Sequence, residues 1–376
     1  MTNWSEILGK LVAREDLDYT SAAWLMNEIM LGNATDAKLA AAISLLAAKG
    51  ETVDELLAFS ETMLEHSHRF EVSGKLLDIV GTGGDHAKSV NISSMASIVI
   101  AATGIKVLKH GNRAMTSSSG SADVLARLGV NLELKPAQVA EVIEEAGISF
   151  AFAQVFHPAM KYAAPVRKEL EIQTIFNLLG PLTNPAQPNS VVIGVADSKF
   201  TGLLAEVFSK RGCEGFVFQG KDALGRGLDE LAATAHGVLY EIRQVNGDGV
   251  IEITAFDPAV LRESVGLEPI EINDLAGGIP EHNAQVARDV FNGVGSSSAD
   301  TKQQRAIFQT VVLNAAAGIV ADGTSIPDEL KDADNPFANL TKRFEFAYEL
   351  AKNTILQGKA KEKLASWVKA TTGKQN

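Results

Sequence analysis

The chain has 376 residues, long for one hydrophobic core, so two domains are the default expectation. Its 46% hydrophobic and 21% charged content is that of an ordinary soluble globular protein. Lys and Arg total 34 against 46 Asp and Glu, and the net charge of −12 argues against a general nucleic-acid binder, which needs a basic excess. Cys213 is the only cysteine, which excludes an internal disulfide and a cysteine-based zinc site.

From the N-terminus, apolar residues recur at helical spacing. Leu8, Leu11 and Val12 form one stripe, and Leu25, Met26, Ile29 and Met30 a second, ended by Gly32. Leu39, Ala42, Ile43 and Leu46 form a third, ended by Gly50. Thr52 with Glu55 makes a capping-box pattern ahead of a fourth, with Leu56, Leu57, Phe59 and Met63. The opening residues hold no signal-peptide core. The long uncharged runs 89–105 and 174–196 are interrupted by Asn91 and Gly104, and by Pro181, Pro185 and Pro188, so neither reads as a membrane span. A cytoplasmic location is expected.

From residue 76 the texture changes. Short apolar runs at 76–80, 105–108, 190–195 and 215–218 alternate with helix-like segments. That alternation predicts an α/β domain with a mostly parallel central sheet flanked by helices, behind a small helical N-terminal domain. The stretch 246–299 has turn residues and weak periodicity and is assigned only loosely, whereas 301–321 and 341–368 read as helical.

Two glycine- and hydroxyl-rich loops stand out, each after an apolar run and each opening a helix. The first is Gly81-Thr82-Gly83-Gly84-Asp85, reaching Asn91-Ile92-Ser93-Ser94; the second is Lys109-His110-Gly111-Asn112-Arg113, reaching Ser117 to Ser121. Glycines let backbone N–H groups approach an anion, and a helix N-terminus adds favourable partial charge. Two such cradles suggest a ligand with phosphates at both ends. Lys109 and Arg113 stand where a local basic pocket would be. A dinucleotide fingerprint would need a third glycine where His86 stands, and a P-loop a glycine where Ala87 stands, so both standard motifs fail. Taken alone, the first loop also reads as an ordinary strand-to-helix turn.

These loops, with 119–128, 157–161 and 166–185 and a later Gly227-Leu228-Asp229-Glu230-Leu231, resemble the anthranilate phosphoribosyltransferase family over essentially the whole chain. The resemblance implies a helical domain of residues 1–72, with about 161–179 packing onto it, and an α/β domain of 73–376. It implies transfer of the phosphoribosyl group of phosphoribosyl diphosphate to the amine of anthranilate, releasing pyrophosphate, and a homodimer formed through the helical domain. Gly81, Gly84, Asp85, Ser89, Asn91, Ile92, Ser93 and Ser94 would line the phosphoribosyl diphosphate site. Lys109, His110, Gly111, Asn112, Arg113, Ala114, Met115, Thr116, Ser117 and Ser121 would complete it. Ser93, Asp229 and Glu230 match the family's metal positions, and hard oxygen ligands suit Mg²⁺. Gly81, Asn112, His157 and Arg167 match the anthranilate site, Arg167 as a guanidinium able to grip a carboxylate bidentately. No catalytic acid or base is expected, because an aniline nitrogen is already neutral at pH 7.

Read without the resemblance, Asp229-Glu230 is a solvated helix start, Arg167 a surface arginine and His157 a turn histidine. Three departures from the family stand at His86 and Ser118, where it often has glycine and lysine, and at Gln154, in a stretch that lacks a usual proline. Pro158 and Pro165 are expected to flank a hinge between lobes. The rival readings are a pyrimidine nucleoside phosphorylase-like enzyme and a non-enzymatic relative that binds nucleic acid.

Overall fold

Four helices open the chain, Trp4–Val12, Tyr19–Met30, Asp36–Lys49 and Val53–Glu65, each starting where the sequence supplies a cap. The side chains of Asn3, Asp18, Thr35 and Thr52 accept hydrogen bonds from first-turn N–H groups. Such caps are each worth about 1 kcal/mol. The Thr52–Glu55 capping box forms as read. The second, third and fourth stripes are buried as expected except Leu57, which is half-buried. In the first helix Ile7 pairs with Leu11 in the core and Val12 is 69% exposed, because positions four apart share the inward face. The computed structural model describes residues 2–113, 119–332 and 334–374; Ala114, Met115, Thr116, Ser117 and Ser118 of the second loop lie outside the described residues.

The sheet comprises β1 Leu77–Gly81, β2 Val107–Gly111, β3 Ile148–Phe152, β4 Ser190–Gly194, β5 Glu214–Lys221, β6 Gly227–Leu228, β7 Gly237–Val245 and β8 Asp248–Phe256. Its order is β3-β2-β1-β4-β5-β7-β8, with β6 beside β5. The pairs from β3 to β5 are parallel, and β6, β7 and β8 add antiparallel ladders. The β7–β8 hairpin turns at Asn246 and Gly247, with φ of 55° and 89°. Asn-Gly is the strongest short-range hairpin signal, so the strands on either side of it were there to be read. The loosely assigned 246–299 stretch holds β8 and two helices, Pro258–Val265 and Pro280–Phe291.

Alternating side chains of the central strands enter different cores. Val191, Ile193 and Val195 join a cluster with the four opening helices and with Ala163, Val166 and Phe176, whereas Val192 faces the other cluster. That second cluster is centred on Ile92–Ala102 and Lys302–Asp322, the latter buried along most of its length. The 341–368 stretch is not one helix: Leu340–Leu356 and Lys359–Thr372 are separated at Gly358, whose φ of 77° no helix interior allows.

A buried ion triad ties the antiparallel edge to the C-terminal helices. Glu241 on β7 receives two hydrogen bonds from Arg343, at 2.7 and 3.1 Å, and one from Arg243 at 2.8 Å. Arg243 also donates to the carbonyls of Val320 and Ala321 at the end of Lys302–Asp322. Removing one partner strands a buried charge. Arg343→Ala is expected to destabilise the protein by about 3–5 kcal/mol, measured by urea unfolding; a loss below about 1 kcal/mol would show the triad is not closed in solution.

Candidate functional site

β1 lies between β2 and β4, so the chain leaves β1 first to one side and later returns on the other. The carboxyl ends of β1 and β4 therefore border a topological switch point, where open α/β sheets bind ligands. Gly81 ends β1 and pairs in register with Gly194, which ends β4. The segment Gly227–Glu230 lies directly on these ends. A Cβ on Gly81 would collide with the Asp229 carboxylate, and one on Gly194 with the Asp229 carbonyl. A Cβ on Gly220 would likewise strike the Glu230 carbonyl, and one on Gly227 the Ala196 carbonyl. The absence of side chains at these glycines is what seats two acids at the switch point.

The acids are crowded. The Gly83 N–H donates to the Asp229 carboxylate at 2.8 Å, but burial and the nearby Asp85 and Glu230 raise the Asp229 pKa well above the usual range. Burial pushes Glu230, 8% exposed, up to about 8, against the pull of Lys109. Lys109 is 1% exposed, donates to the Ile79 carbonyl at 2.6 Å and to Ser93 Oγ at 3.1 Å, and faces Asp78, Asp229 and Glu230. It is therefore not part of an open basic pocket, as the sequence suggested; its charge is engaged beneath the loop. Among the described residues no three His, Cys, Asp or Glu side chains are placed to hold a metal unaided. A hard cation held by two carboxylates and a hydroxyl, and completed by phosphate oxygens and water, suits this donor set.

The first loop runs from Gly81 into Ile92–Ala102. Gly83 and Gly84 have φ of 71° and 84°, and His86 and Lys88 reach 57° and 51° without being glycine. Those last two positions are strained for an L side chain, which gives a physical reason for glycine at the first of them. Ser89 makes a bridge with Ala276, and Val90 N–H donates to the Leu275 carbonyl, fixing the loop's far end. Asn91 makes no side-chain cap; instead it donates to the Ser119 carbonyl at 3.1 Å and accepts from Asn283 at 2.9 Å. Asn91 thus joins the two loops. In the second, Gly111 sits where a Cβ would strike Ser121 Oγ, Ser121 donates to the Asn112 carbonyl, and Arg113 pairs with Asp123 at 3.1 Å.

His110 and His157 stand beneath the second loop with ring centroids 5.2 Å apart. His110 Nδ1 donates to the Gly180 carbonyl at 2.9 Å, and His157 Nε2 to the Thr183 carbonyl at 2.8 Å. Each ring's other nitrogen is buried and has no hydrogen-bond partner among the described residues. His157 stands at the turn between Ala153–Phe156 and Pro158–Tyr162 with one ring hydrogen bond satisfied, as the turn reading expects, but it is buried. Arg167 projects from Ala164–Leu170 over the Phe176 ring at 5.1 Å; it is half-buried, with no carboxylate partner among the described residues. Two contributors gave no motif. Asp78 accepts from the His110 N–H and from Asn184, with its pKa raised to about 6 by burial; an acid inside the apolar run 76–80 was its only sequence signal. Gly194 gave none.

Burial holds His110 down to about 4 and His157 to about 3. In the unfolded chain both titrate near 6.5. Between 6.5 and those values the unfolded state binds more protons, so both rings cost the folded protein stability as pH falls through that window. His157→Asn is expected to flatten the stability–pH slope across that window by about one proton. An unchanged slope in urea titrations from pH 6.5 to 4 would mean that His157 is already charged in the folded protein.

The fold and site define a glycosyl transferase with a helical bundle and an α/β domain. The model of the "Glycosyl transferase family, a/b domain" matches residues 73–339, and that of the "helical bundle domain" matches 5–67. Anthranilate phosphoribosyltransferase from Streptomyces griseus subsp. griseus is 45% identical over 98% of this chain and 95% of its own. That from Leifsonia xyli subsp. xyli is 43% identical over 98% of each. The crystal structure of the Thermus thermophilus enzyme superposes with a TM-score of 0.81 at 35% identity, covering 97% of this chain and 99% of that one. The enzyme from Saccharomyces cerevisiae, in complex with PRPP and Mg, shares the fold at a TM-score of 0.82 and 22% identity, covering 98% of each. The chain belongs to the anthranilate phosphoribosyltransferase family.

Proposed function

We infer that this protein transfers the phosphoribosyl group of phosphoribosyl diphosphate to the amine of anthranilate, giving N-(5-phosphoribosyl)anthranilate and pyrophosphate in tryptophan biosynthesis. The observation that carries the reading is the seating of Asp229 on Gly81 and Gly194 and of Glu230 on Gly220, beside a helix start left without a side-chain cap. Neither a nucleoside phosphorylase nor a nucleic-acid binder is favoured by any feature of the site.

In this reading the first-loop N–H groups and the start of Ile92–Ala102 hold phosphate oxygens. Asp229, Glu230 and Ser93 would hold Mg²⁺, whose chemistry is to neutralise charge developing on the diphosphate leaving group. Anthranilate lies beside Gly81, Asn112 and His157, with its carboxylate on Arg167. Arg167 suits that task because it has no carboxylate partner among the described residues and burial lowers its pKa; an anionic partner offsets that desolvation. The amine then attacks the anomeric carbon on the face opposite the departing diphosphate, and loses its proton to solvent once the C–N bond has formed. Positioning and preorganised charge provide the rate enhancement, without an assigned acid or base.

The reading extends to a homodimer through the helical unit, which the exposed Val12, Tyr19 and Leu31 of that unit support. It extends also to a hinge flanked by Pro158 and Pro165 between residues 1–72 with 161–179 and the remainder. Loss of anthranilate fluorescence is expected only when both phosphoribosyl diphosphate and Mg²⁺ are present; no such loss would refute the assigned reaction. Arg167→Ala is expected to raise the anthranilate KM roughly 10- to 100-fold, from the loss of about 1.5–3 kcal/mol of charged hydrogen bonding. Its Mg²⁺ dependence should be unaltered, whereas Asp229→Asn with Glu230→Gln should shift that dependence to higher metal. Unchanged anthranilate saturation in Arg167→Ala would place the carboxylate elsewhere.

A further inference from the structure

A second cavity, of about 140 Å³, opens near the opposite, amino end of the strands. Its walls come from the loop before β4 and from the end of Thr201–Lys210. Pro181, Leu182, Pro188 and Phe208 supply apolar surface, and Arg211 supplies a cation. No residue assigned to either substrate lines it.

Arg211 is the unusual member. It is half-buried, and burial lowers its pKa. Its guanidinium donates to the Leu182 carbonyl at 2.6 Å and to Ser60 Oγ at 2.5 Å, both neutral acceptors. Those two bonds leave guanidinium N–H groups without an acceptor among the described residues. Glu61 is near enough to favour the charged form, but it makes no ion pair with Arg211 and accepts instead from the Tyr19 hydroxyl. Arg211 is thus a partly desolvated guanidinium beside a cavity of mixed lining, in which Asn184, Gln187 and Asn189 add amides to the apolar side chains, and it has no carboxylate in contact among the described residues. Such a cation is completed by an anionic ligand, and a guanidinium grips a carboxylate with two parallel hydrogen bonds.

We propose that this cavity is a second small-molecule site, which takes a one-ring carboxylate with its acid on Arg211 and its ring against Pro181, Pro188 and Phe208. The volume sets the size, because it falls below the roughly 300 Å³ at which drug-sized clefts begin. Occupancy would be felt at the active site. The wall residues Pro181 and Leu182 lie between Gly180 and Thr183, whose carbonyls hold His110 and His157. Asn184, which also lines the cavity, donates to Asp78 and to the Leu108 carbonyl. A ligand pressing on this segment therefore bears on the two buried imidazoles directly.

The test uses 4-fluorobenzoate with the full chain carrying Arg167→Ala, which removes the competing guanidinium. Fluorine NMR is expected to show a saturable bound signal that Arg211→Gln abolishes and Arg211→Lys weakens. Cys213, the only cysteine, lines the same cavity and gives an independent readout. Probe at about five times its Kd should slow the reaction of Cys213 with a thiol reagent about sixfold, by mass action. That measurement needs no change at Arg211 and stands even if Arg211→Gln does not fold. Absence of saturable binding to the Arg167→Ala protein, binding that survives Arg211→Gln, or an unchanged Cys213 rate would overturn the proposal.

Discussion

Asp229 rests on two glycines at the ends of neighbouring strands, and the chemistry of the site follows from that contact. With no side chain at Gly81 or Gly194, the chain crosses the strand ends at backbone distance and delivers Asp229 and Glu230 where the sheet changes direction. The same closeness buries both acids and sets them against Asp85, so each resists ionisation. The Gly83 N–H on Asp229, the Ser93 N–H on Glu230 and the ammonium of Lys109 oppose this. A single buried lysine cannot neutralise three carboxyls. Further positive charge at the cluster would favour its ionised form, so a divalent cation held there would also favour a bound phosphate.

A second buried network supports the floor of the site. Asp78 fixes the backbone of His110 and the amide of Asn184, and the Gly180 and Thr183 carbonyls fix the two imidazoles. These bonds join β1 and β2 to the 176–184 segment, whose apolar side chains enter the core of the helical unit. The imidazoles are kept neutral by burial, so they act here as shaped, polar-edged walls rather than as cations. The lobes and the site are thus mechanically joined through the segment that also forms the wall of the Arg211 cavity.

Much of this was legible in the sequence where the signal is local. Caps, helical stripes and the four apolar strand runs depend on spacing within one element, and they appear close to where they were read. The two glycine loops and Asp229-Glu230 were likewise visible as motifs, the latter only through family resemblance. What spacing cannot reveal is which distant backbone a residue will meet. Gly194 looks like any glycine ending a strand, and its need is apparent only once Asp229 lies upon it. Lys109 looks like a phosphate-binding cation, yet tertiary packing turns it inward onto Ser93 and Ile79. The Asn246-Gly247 hairpin differs, since weak periodicity leaves 246–299 only loosely assignable although Asn-Gly is itself a hairpin signal.

Buried acids seated at the strand ends are expected to make diphosphate binding depend on a divalent cation. Calorimetric titration of phosphoribosyl diphosphate into the protein, with Mg²⁺ and then with EDTA, tests it most directly. Binding at least about tenfold tighter with Mg²⁺ is expected, a difference of about 1.4 kcal/mol. Equal affinity in EDTA would contradict it, because the diphosphate would then be held by the loops without the carboxylates.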